Sequence, residues 1–400
     1  MFLPRIYEQV LRKHLSTYRQ MAFVSGPRQV GKTTLCRSLA THYFNWDDQN
    51  DRETIVKGPK AVTSSIGLDR LRESKPVVVI DELHKYRRWR TFLKGFFDVN
   101  ADRAQVIVTG SARLDFYSKS GDSLMGRYFP YRMHPLSFGE LVNPNRTADR
   151  LIHPPAELKG KYTKQALWIH GGFPEPYATH ESRFTRRWQS LRTQQLLYGD
   201  VRDLTRIQET AQLELLVILL TRRASEQITY SNLANDIQVS VDTLRRWIAT
   251  LTALYHGFLV RPWFKNIKKS LRKEPKWYLR DWSVISDPGK RAENLVACHL
   301  LKATEFWTDL GFGEFGLYYL RDKEKREVDF LVVRDQQPWF MVEVKTSIRP
   351  LASSLNYFAA QLKVNHVFQL AMDMPFVSSD CFAQASPSVV PAQTFLSQLP

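Results

Sequence analysis

Short apolar runs that end in glycine or acid punctuate the first third of the chain. Met21-Ala22-Phe23-Val24-Ser25 reads as a buried strand, and Thr34 to Leu39 as the first turns of a helix. Tyr43-Phe44-Asn45-Trp46 reads as a second strand ending at Asp47-Asp48. Val77-Val78-Val79-Ile80 is a run of β-branched residues followed by Asp81 and Glu82. That is the pattern of a strand buried on both faces with carboxylates at its carboxyl end. Gln105-Val106-Ile107-Val108-Thr109 is a further strand, entering Gly110-Ser111-Ala112-Arg113. Residues 5–20 carry helical amphipathic spacing. Strands alternating with helices predict an α/β layer with a parallel sheet, its ligand at the carboxyl ends of the strands.

The pattern changes after Asn143 to Pro155, a polar stretch holding Pro144, Pro154 and Pro155. Helical spacing resumes at Lys164 to His170, breaks at Gly171-Gly172-Phe173-Pro174-Glu175-Pro176, and returns in the arginine-rich Ser182 to Arg206. Ser231 to Ile237 predicts a short helix, Val239-Ser240 a turn with an N-cap, and Val241 to Leu254 a longer helix with Leu244, Trp247, Ile248 and Leu251 on one face. That spacing suits a helix-turn-helix, and Gly257 to Phe264 is expected to form a strand pair acting as its wing. Farther on, Gly289 to Ala303 predicts a helix, and Glu327 to Val333 and Trp339 to Lys345 predict adjacent antiparallel strands. The expected organisation is an ATPase-like core over residues 1–145, a helical lid or linker over 146–210, a winged-helix module over 211–270 and a carboxy-terminal α/β domain over 271–400.

Composition narrows the partners. With 400 residues the chain exceeds one ordinary core. A hydrophobic content of 43% with 24% charged residues excludes a disordered chain. The net charge of +17 favours a polyanionic partner such as nucleic acid, the alternative being a generally basic surface with no such partner. Cys36, Cys298 and Cys381 lie far apart without metal-ligand spacing, which suits a reducing cytoplasm. The amino terminus lacks a signal peptide's apolar core, and no apolar run approaches a membrane span, so no membrane partner is expected.

The candidate chemistry centres on Gly26-Pro27-Arg28-Gln29-Val30-Gly31-Lys32-Thr33, a G-x-x-x-x-G-K-T sequence between a strand and a helix. Its glycines let the backbone wrap a phosphate, with successive N–H groups, Thr34 included, facing the anion. Lys32 would reach the β and γ phosphates of ATP, and Thr33 would place its hydroxyl on Mg²⁺. Asp81 would hold the same ion, directly or through water, and Glu82 would polarise the attacking water; the alternative is an ordinary pair of acids at a strand end. Ser111 or Thr109 is placed to sense the γ-phosphate, or is a plain turn residue. Arg127 is a candidate finger acting in trans, which would require a ring or other homo-oligomer; the alternative is a solvated arginine.

Two further constellations stand apart. Arg245 and Arg246 lie on the outer face of the longer predicted helix, and Lys265, Lys268 and Lys269 follow, a basic set suited to duplex phosphates. A small helical module for protein contacts is the other reading. In the carboxy-terminal part, Glu343 and Lys345 are two apart on one strand face, and Asp329 lies fourteen positions before Glu343. Asp329 and Glu343, with Glu293 as a further ligand, are a candidate divalent-metal site, with Lys345 placed to orient water or stabilise a phosphorane. The alternative is two ordinary amphipathic strands.

Taken in order, Gly26 to Leu35, Val79 to Glu82, Thr109 to Ser111, Gly126-Arg127, Gly171 to Glu175 and Glu327 to Lys345 resemble the prokaryotic AAA-type ATPases with a carboxy-terminal DUF4143 region. The resemblance implies a P-loop ATPase core of AAA+ type, a winged helix and a restriction-endonuclease-like PD-(D/E)xK domain, with Lys32, Thr33, Asp81 and Glu82 carrying ATP hydrolysis. It departs from that pattern in one place: no Pro-Asp precedes the E-x-K, and the first acid sits in Val328-Asp329. The function expected is a Mg²⁺-dependent ATPase that remodels or translocates on DNA. The alternatives are an ATP-regulated DNA nuclease and a protein-remodelling or signalling ATPase with a non-catalytic nuclease-like module.

Overall fold

In a computed structural model, residues 3–70, 73–110, 124–158, 164–201, 209–264 and 273–400 are described. They divide into two compact units, with the boundary along the chain between His134 and Pro135.

The first unit, Phe2–His134, is an α/β layer. Helix α1 (Ile6–Thr17) leads into strand β1 (Met21–Ser25), and helix α2 (Lys32–Leu39) leads to β2 (His42–Asn45). Helices α3 (Gln49–Val56) and α4 (Pro59–Ser65) precede β3 (Val77–Asp81), and α5 (Trp89–Asn100) precedes β4 (Gln105–Thr109) and β5 (Tyr128–Arg132). The five strands are all parallel in the order β2-β3-β4-β1-β5. Every residue of β1 is buried, as a central strand covered on both faces requires. Strand β4 lies between β1 and β3, so the loop after β1 and the acids after β3 flank the tip of β4. One face is filled by α5, whose Trp89, Phe92, Leu93, Phe96 and Phe97 pack in a single core with Met21, Phe23, Val78 and Ile80.

The second unit begins at Pro135. Short helices α6 (Phe138–Val142), α7 (Lys164–His170) and α8 (Pro174–Thr179) precede α9 (Ser182–Gln194), which continues as a π-helical segment, Gln195–Asp200. Then come α10 (Thr210–Arg222), α11 (Tyr230–Asp236), α12 (Val241–Ala253) and strands β6 (Gly257–Pro262) and β7 (Lys276–Leu279). Helix α13 (Pro288–Asp309) is followed by β8 (Phe315–Arg321), β9 (Glu327–Arg334) and β10 (Gln337–Lys345). Helix α14 (Ser353–Leu362), β11 (His366–Ala371), β12 (Ser388–Pro391) and α15 (Ala392–Ser397) close the chain. The strands form one mixed sheet of seven, ordered β12-β11-β10-β9-β8-β6-β7.

The expected wing differs in its partner. Gly257 to Phe264 contains one strand, not a pair, and β6 pairs antiparallel with β7 and parallel with β8. A boundary drawn at 270 therefore passes between two hydrogen-bonded strands. Burial explains this. Trp277 and Leu279 of β7 complete the core formed by Leu213, Leu216, Leu244, Trp247 and Leu251 of α10 and α12, while Lys276 and Tyr278 point to the opposite face.

Candidate functional site

At the carboxyl end of β1 the loop Gly26–Gly31 is held in a shape that side chains resist. Gly26 has φ +142°, and a Cβ there would stand 2.2 Å from the Met133 carbonyl oxygen. Gly31 has φ +97° and caps α2, so the first N–H groups of α2 open toward the loop. Arg5, buried, donates to the carbonyls of Val30 at 2.5 Å and His134 at 2.6 Å and so ties the loop to the end of β5. Lys32 is 6% exposed, and its Nζ donates to the carbonyls of Gly26 at 2.9 Å and Pro27 at 2.7 Å. Burial draws its pKa down to about 8, against the opposing pull of Glu82 and Asp81.

Asp81 is the convergence point. Its Oδ2 accepts from Thr33 Oγ1 at 2.8 Å and from the Tyr43 hydroxyl at 2.6 Å. Its Oδ1 accepts from Thr109 Oγ1 and from the Glu82 amide at 3.0 Å. Glu82 adopts a left-handed backbone, φ +55°. Its carboxylate lies 3.3 Å from Lys85 Nζ and 3.7 Å from His84 Nε2. Lys85 also holds Asp47 at 2.6 Å. A non-glycine residue in this conformation costs about 1–3 kcal/mol, and such strain concentrates at functional positions.

In the second unit a strand face gathers acids around a lysine. Lys276 Nζ lies 2.6 Å from Glu327, 3.0 Å from Glu293 and 3.6 Å from Asp329. The Tyr278 hydroxyl also donates to Glu293, at 2.7 Å. Asp329 Oδ2 accepts from the Val344 amide at 2.9 Å, and Glu343 accepts from the Asp329 amide at 3.3 Å and from Lys345 Nζ at 2.7 Å. Arg321 pairs with Glu327 at 2.9 Å. The four side chains named from sequence, Glu293, Asp329, Glu343 and Lys345, thus do come together. Lys276, Tyr278, Glu327 and Arg321 complete the group.

Residues 18–142 match a family model described as an AAA domain, and residues 288–375 match the domain of unknown function DUF4143. The chain thus carries an AAA domain and, toward its carboxyl end, a DUF4143 region. Between these, residues 163–287 match the domain of unknown function DUF8612. An uncharacterized protein of Mycobacterium tuberculosis is 23% identical over 355 residues, covering 86% of this chain and 74% of the relative. An uncharacterized protein of Methanocaldococcus jannaschii is 23% identical over 292 residues, covering 64% and 60%. Among solved structures, the Aeropyrum pernix ORC1 protein in complex with DNA is 14% identical with a TM-score of 0.32, covering 74% of this chain and 93% of that one. AMPPCP-bound DnaA from Aquifex aeolicus is 14% identical with a TM-score of 0.27, covering 62% and 88%.

Within the AAA domain, Arg127 precedes β5, whose Tyr128 is in register with Met21 at the amino end of β1. The Gly26–Gly31 loop follows Ser25, at the other end of that strand. Arg127 therefore sits across the sheet's length from its own loop, and its guanidinium forms a two-point pair with Asp98, Nε to Oδ1 at 2.7 Å and Nη2 to Oδ2 at 3.2 Å. Thr109 reaches Asp81, and Ser111 lies outside the described residues. Thr33 and Thr34 are exposed at the start of α2, whereas Val30 is buried below the loop.

In the DUF8612-matching segment, α12 buries Leu244, Trp247, Ile248 and Leu251, and its N-cap Ser240 accepts from the Thr243 amide at 3.1 Å. Arg245 and Arg246 are exposed, and Arg245 lies 5.4 Å from the Tyr230 ring centroid. Lys265, Lys268 and Lys269 lie outside the described residues.

Tyr43, Asp98, Lys276, Tyr278, Glu327 and Arg321 are among the site residues that sequence reasoning missed. Only Lys276 carried a signal: a lysine two positions from Tyr278, in a strand whose alternate positions, Trp277 and Leu279, are apolar. Among the described residues, no helix is long and apolar enough to cross a membrane.

Proposed function

We propose that this chain is a Mg²⁺-dependent ATPase that binds DNA and remodels it or moves along it, working as a homo-oligomer. The observation that carries the ATPase reading is the convergence of Lys32, Thr33, Asp81 and Glu82 at the carboxyl ends of β1 and β3, the two parallel strands that flank β4. The Thr33 and Asp81 oxygens are 2.8 Å apart. Both are oxygen donors, the kind of ligand that Mg²⁺ takes. These two side chains would hold Mg²⁺, which when bound supplies charge neutralisation across the β and γ phosphates. Lys32 would exchange its loop carbonyls for phosphate oxygens as the triphosphate enters. Glu82 would leave Lys85 and accept the proton of the attacking water.

The position of Arg127, at the end of the sheet opposite its own loop, supports action on a neighbouring subunit's nucleotide. It would first release Asp98. DNA binding is supported by Arg245 and Arg246 on the exposed face of α12 and by the net charge of +17. Neutralised phosphates release counterions, so affinity should fall steeply with salt. Fluorescence anisotropy with labelled duplex, single-stranded and four-way-junction DNA tests this. Affinity in the Arg245→Glu/Arg246→Glu chain should drop at least tenfold, with a shallower salt slope. Binding that is absent, or equal in wild type and variant across salt, contradicts the DNA reading and leaves a protein partner.

A further inference from the structure

The carboxylate cluster on β7, β9, β10 and α13 has the parts of a metal site, yet its centre is taken. Lys276 Nζ, with a side chain 5% exposed, lies within 3.6 Å of Glu293, Glu327 and Asp329. Further oxygens of the cluster are engaged as well. Asp329 Oδ2 is held by the Val344 amide, Glu343 Oε1 by Lys345, and Glu343 Oε2 by the Asp329 amide. Among the described residues, no three His, Cys, Asp or Glu side chains are grouped so as to hold a metal ion.

We infer that Lys276 is the built-in cation of this cluster, so that the carboxy-terminal sheet takes up no divalent metal there and does not cleave phosphodiesters by a metal-assisted route. The charge balance supports this. Four carboxylates (Glu293, Glu327, Asp329 and Glu343) face three cations (Lys276, Arg321 and Lys345), so one proton makes the group neutral. A divalent ion replacing that proton would leave the group with excess positive charge in a buried setting, which is unfavourable. Nor can Lys276 move away easily. It starts β7, whose next residue, Trp277, is fully buried in the core of the helical module.

A lysine amine is also a different instrument from a metal. It pairs with carboxylates as a point charge and offers no open coordination position to a phosphate or to water. The cluster then fixes β7, β9, β10 and α13 to one another. This inference is independent of the ATPase reading, because it concerns a separate sheet and a separate readout.

The test is Mn²⁺ binding to the full chain without nucleotide, read from the electron paramagnetic resonance signal of free Mn²⁺. Wild type, Asp329→Asn and Glu343→Gln should bind the same number of ions, since any Mn²⁺ held at Thr33 and Asp81 is common to all three. Lys276→Met should bind one ion more, and adding Asp329→Asn should remove that gain. Circular dichroism melts establish which variants are folded, and the comparison of wild type with Asp329→Asn and Glu343→Gln stands even where Lys276→Met is not. An ion bound by wild type and lost in Asp329→Asn and Glu343→Gln would overturn the inference. A folded Lys276→Met chain with no extra ion would overturn it too, because Lys276 would then not be what excludes the metal.

Discussion

The Tyr43 hydroxyl donates to Asp81 at 2.6 Å, which sets a tyrosine of β2 on the carboxylate that closes β3. The contact couples two functions. It stabilises the aspartate before a nucleotide arrives, and it competes with any cation that Asp81 is to hold. Burial and the Asp81 hydrogen bond both raise the phenol's pKa, so it remains a donor throughout the neutral range. Tyr43→Phe removes the competitor. A net hydrogen-bond contribution of about 1 kcal/mol corresponds to a roughly fivefold lower Mg²⁺ requirement for ATP hydrolysis. Titrating Mg²⁺ at saturating ATP checks this. An unchanged or higher requirement would mean that Tyr43 orients Asp81 for the metal and does not compete with it.

Lys32 gives nucleotide affinity a pH dependence. Its pKa is about 8, below the ordinary lysine value, because burial disfavours the ammonium. Phosphate requires the charged form, so binding draws a proton onto Lys32 at alkaline pH. The sign follows: affinity is full below about pH 8 and is lost above it. Between pH 7 and 9 the protonated fraction falls about tenfold, and the dissociation constant of ATP should rise by the same factor. Isothermal titration calorimetry in buffers of different ionisation enthalpy would also detect the proton uptake. A flat profile would place the Lys32 pKa well above 9.

Lys302 and Glu140 form an ion pair at 2.6 Å, with side chains 1% and 0% exposed, and Lys302 also donates to Ser137 Oγ at 2.8 Å. Removing one partner leaves a buried charge and should cost about 3–5 kcal/mol. Lys302→Met is therefore expected to lower Tm sharply, while Lys302→Met/Glu140→Leu recovers most of the loss. Thermal melts of the two variants and wild type decide it, and equal destabilisation in the single and double variants would contradict it.

The parts of this protein that the sequence makes readable are those where chemistry is local. The loop from Gly26 to Thr33 needs glycines at fixed spacing, and the run Val77 to Ile80 is a central strand because both its faces are apolar. Helix α12 also forms as its spacing predicts, since Leu244, Trp247, Ile248 and Leu251 mark one face and Ser240 caps the start. What depends on pairing over distance is not readable. Nothing in Gly257 to Phe264 specifies that β6 will choose β7 and β8 as neighbours. The E-x-K at Glu343 shows where carboxylates gather, but Lys276 enters from a strand more than fifty residues earlier. Tyr43 and Asp98 reach Asp81 and Arg127 by the same kind of long-range placement. Such contacts leave no periodic trace, because only the folded sheet brings them together.

The central claim is that ATP turnover at the Lys32–Asp81 site is coupled to DNA. The most direct measurement is the steady-state ATPase rate with and without single-stranded, duplex and four-way-junction DNA, with the DNA from the same reactions run on a gel. The account predicts Mg²⁺-dependent hydrolysis that is lost in Lys32→Ala and falls by about 10²–10⁴ in Glu82→Gln. It further predicts stimulation by at least one DNA form, weaker in Arg245→Glu/Arg246→Glu and weaker at high salt, with the DNA left intact. Equal turnover with and without every DNA form would contradict it.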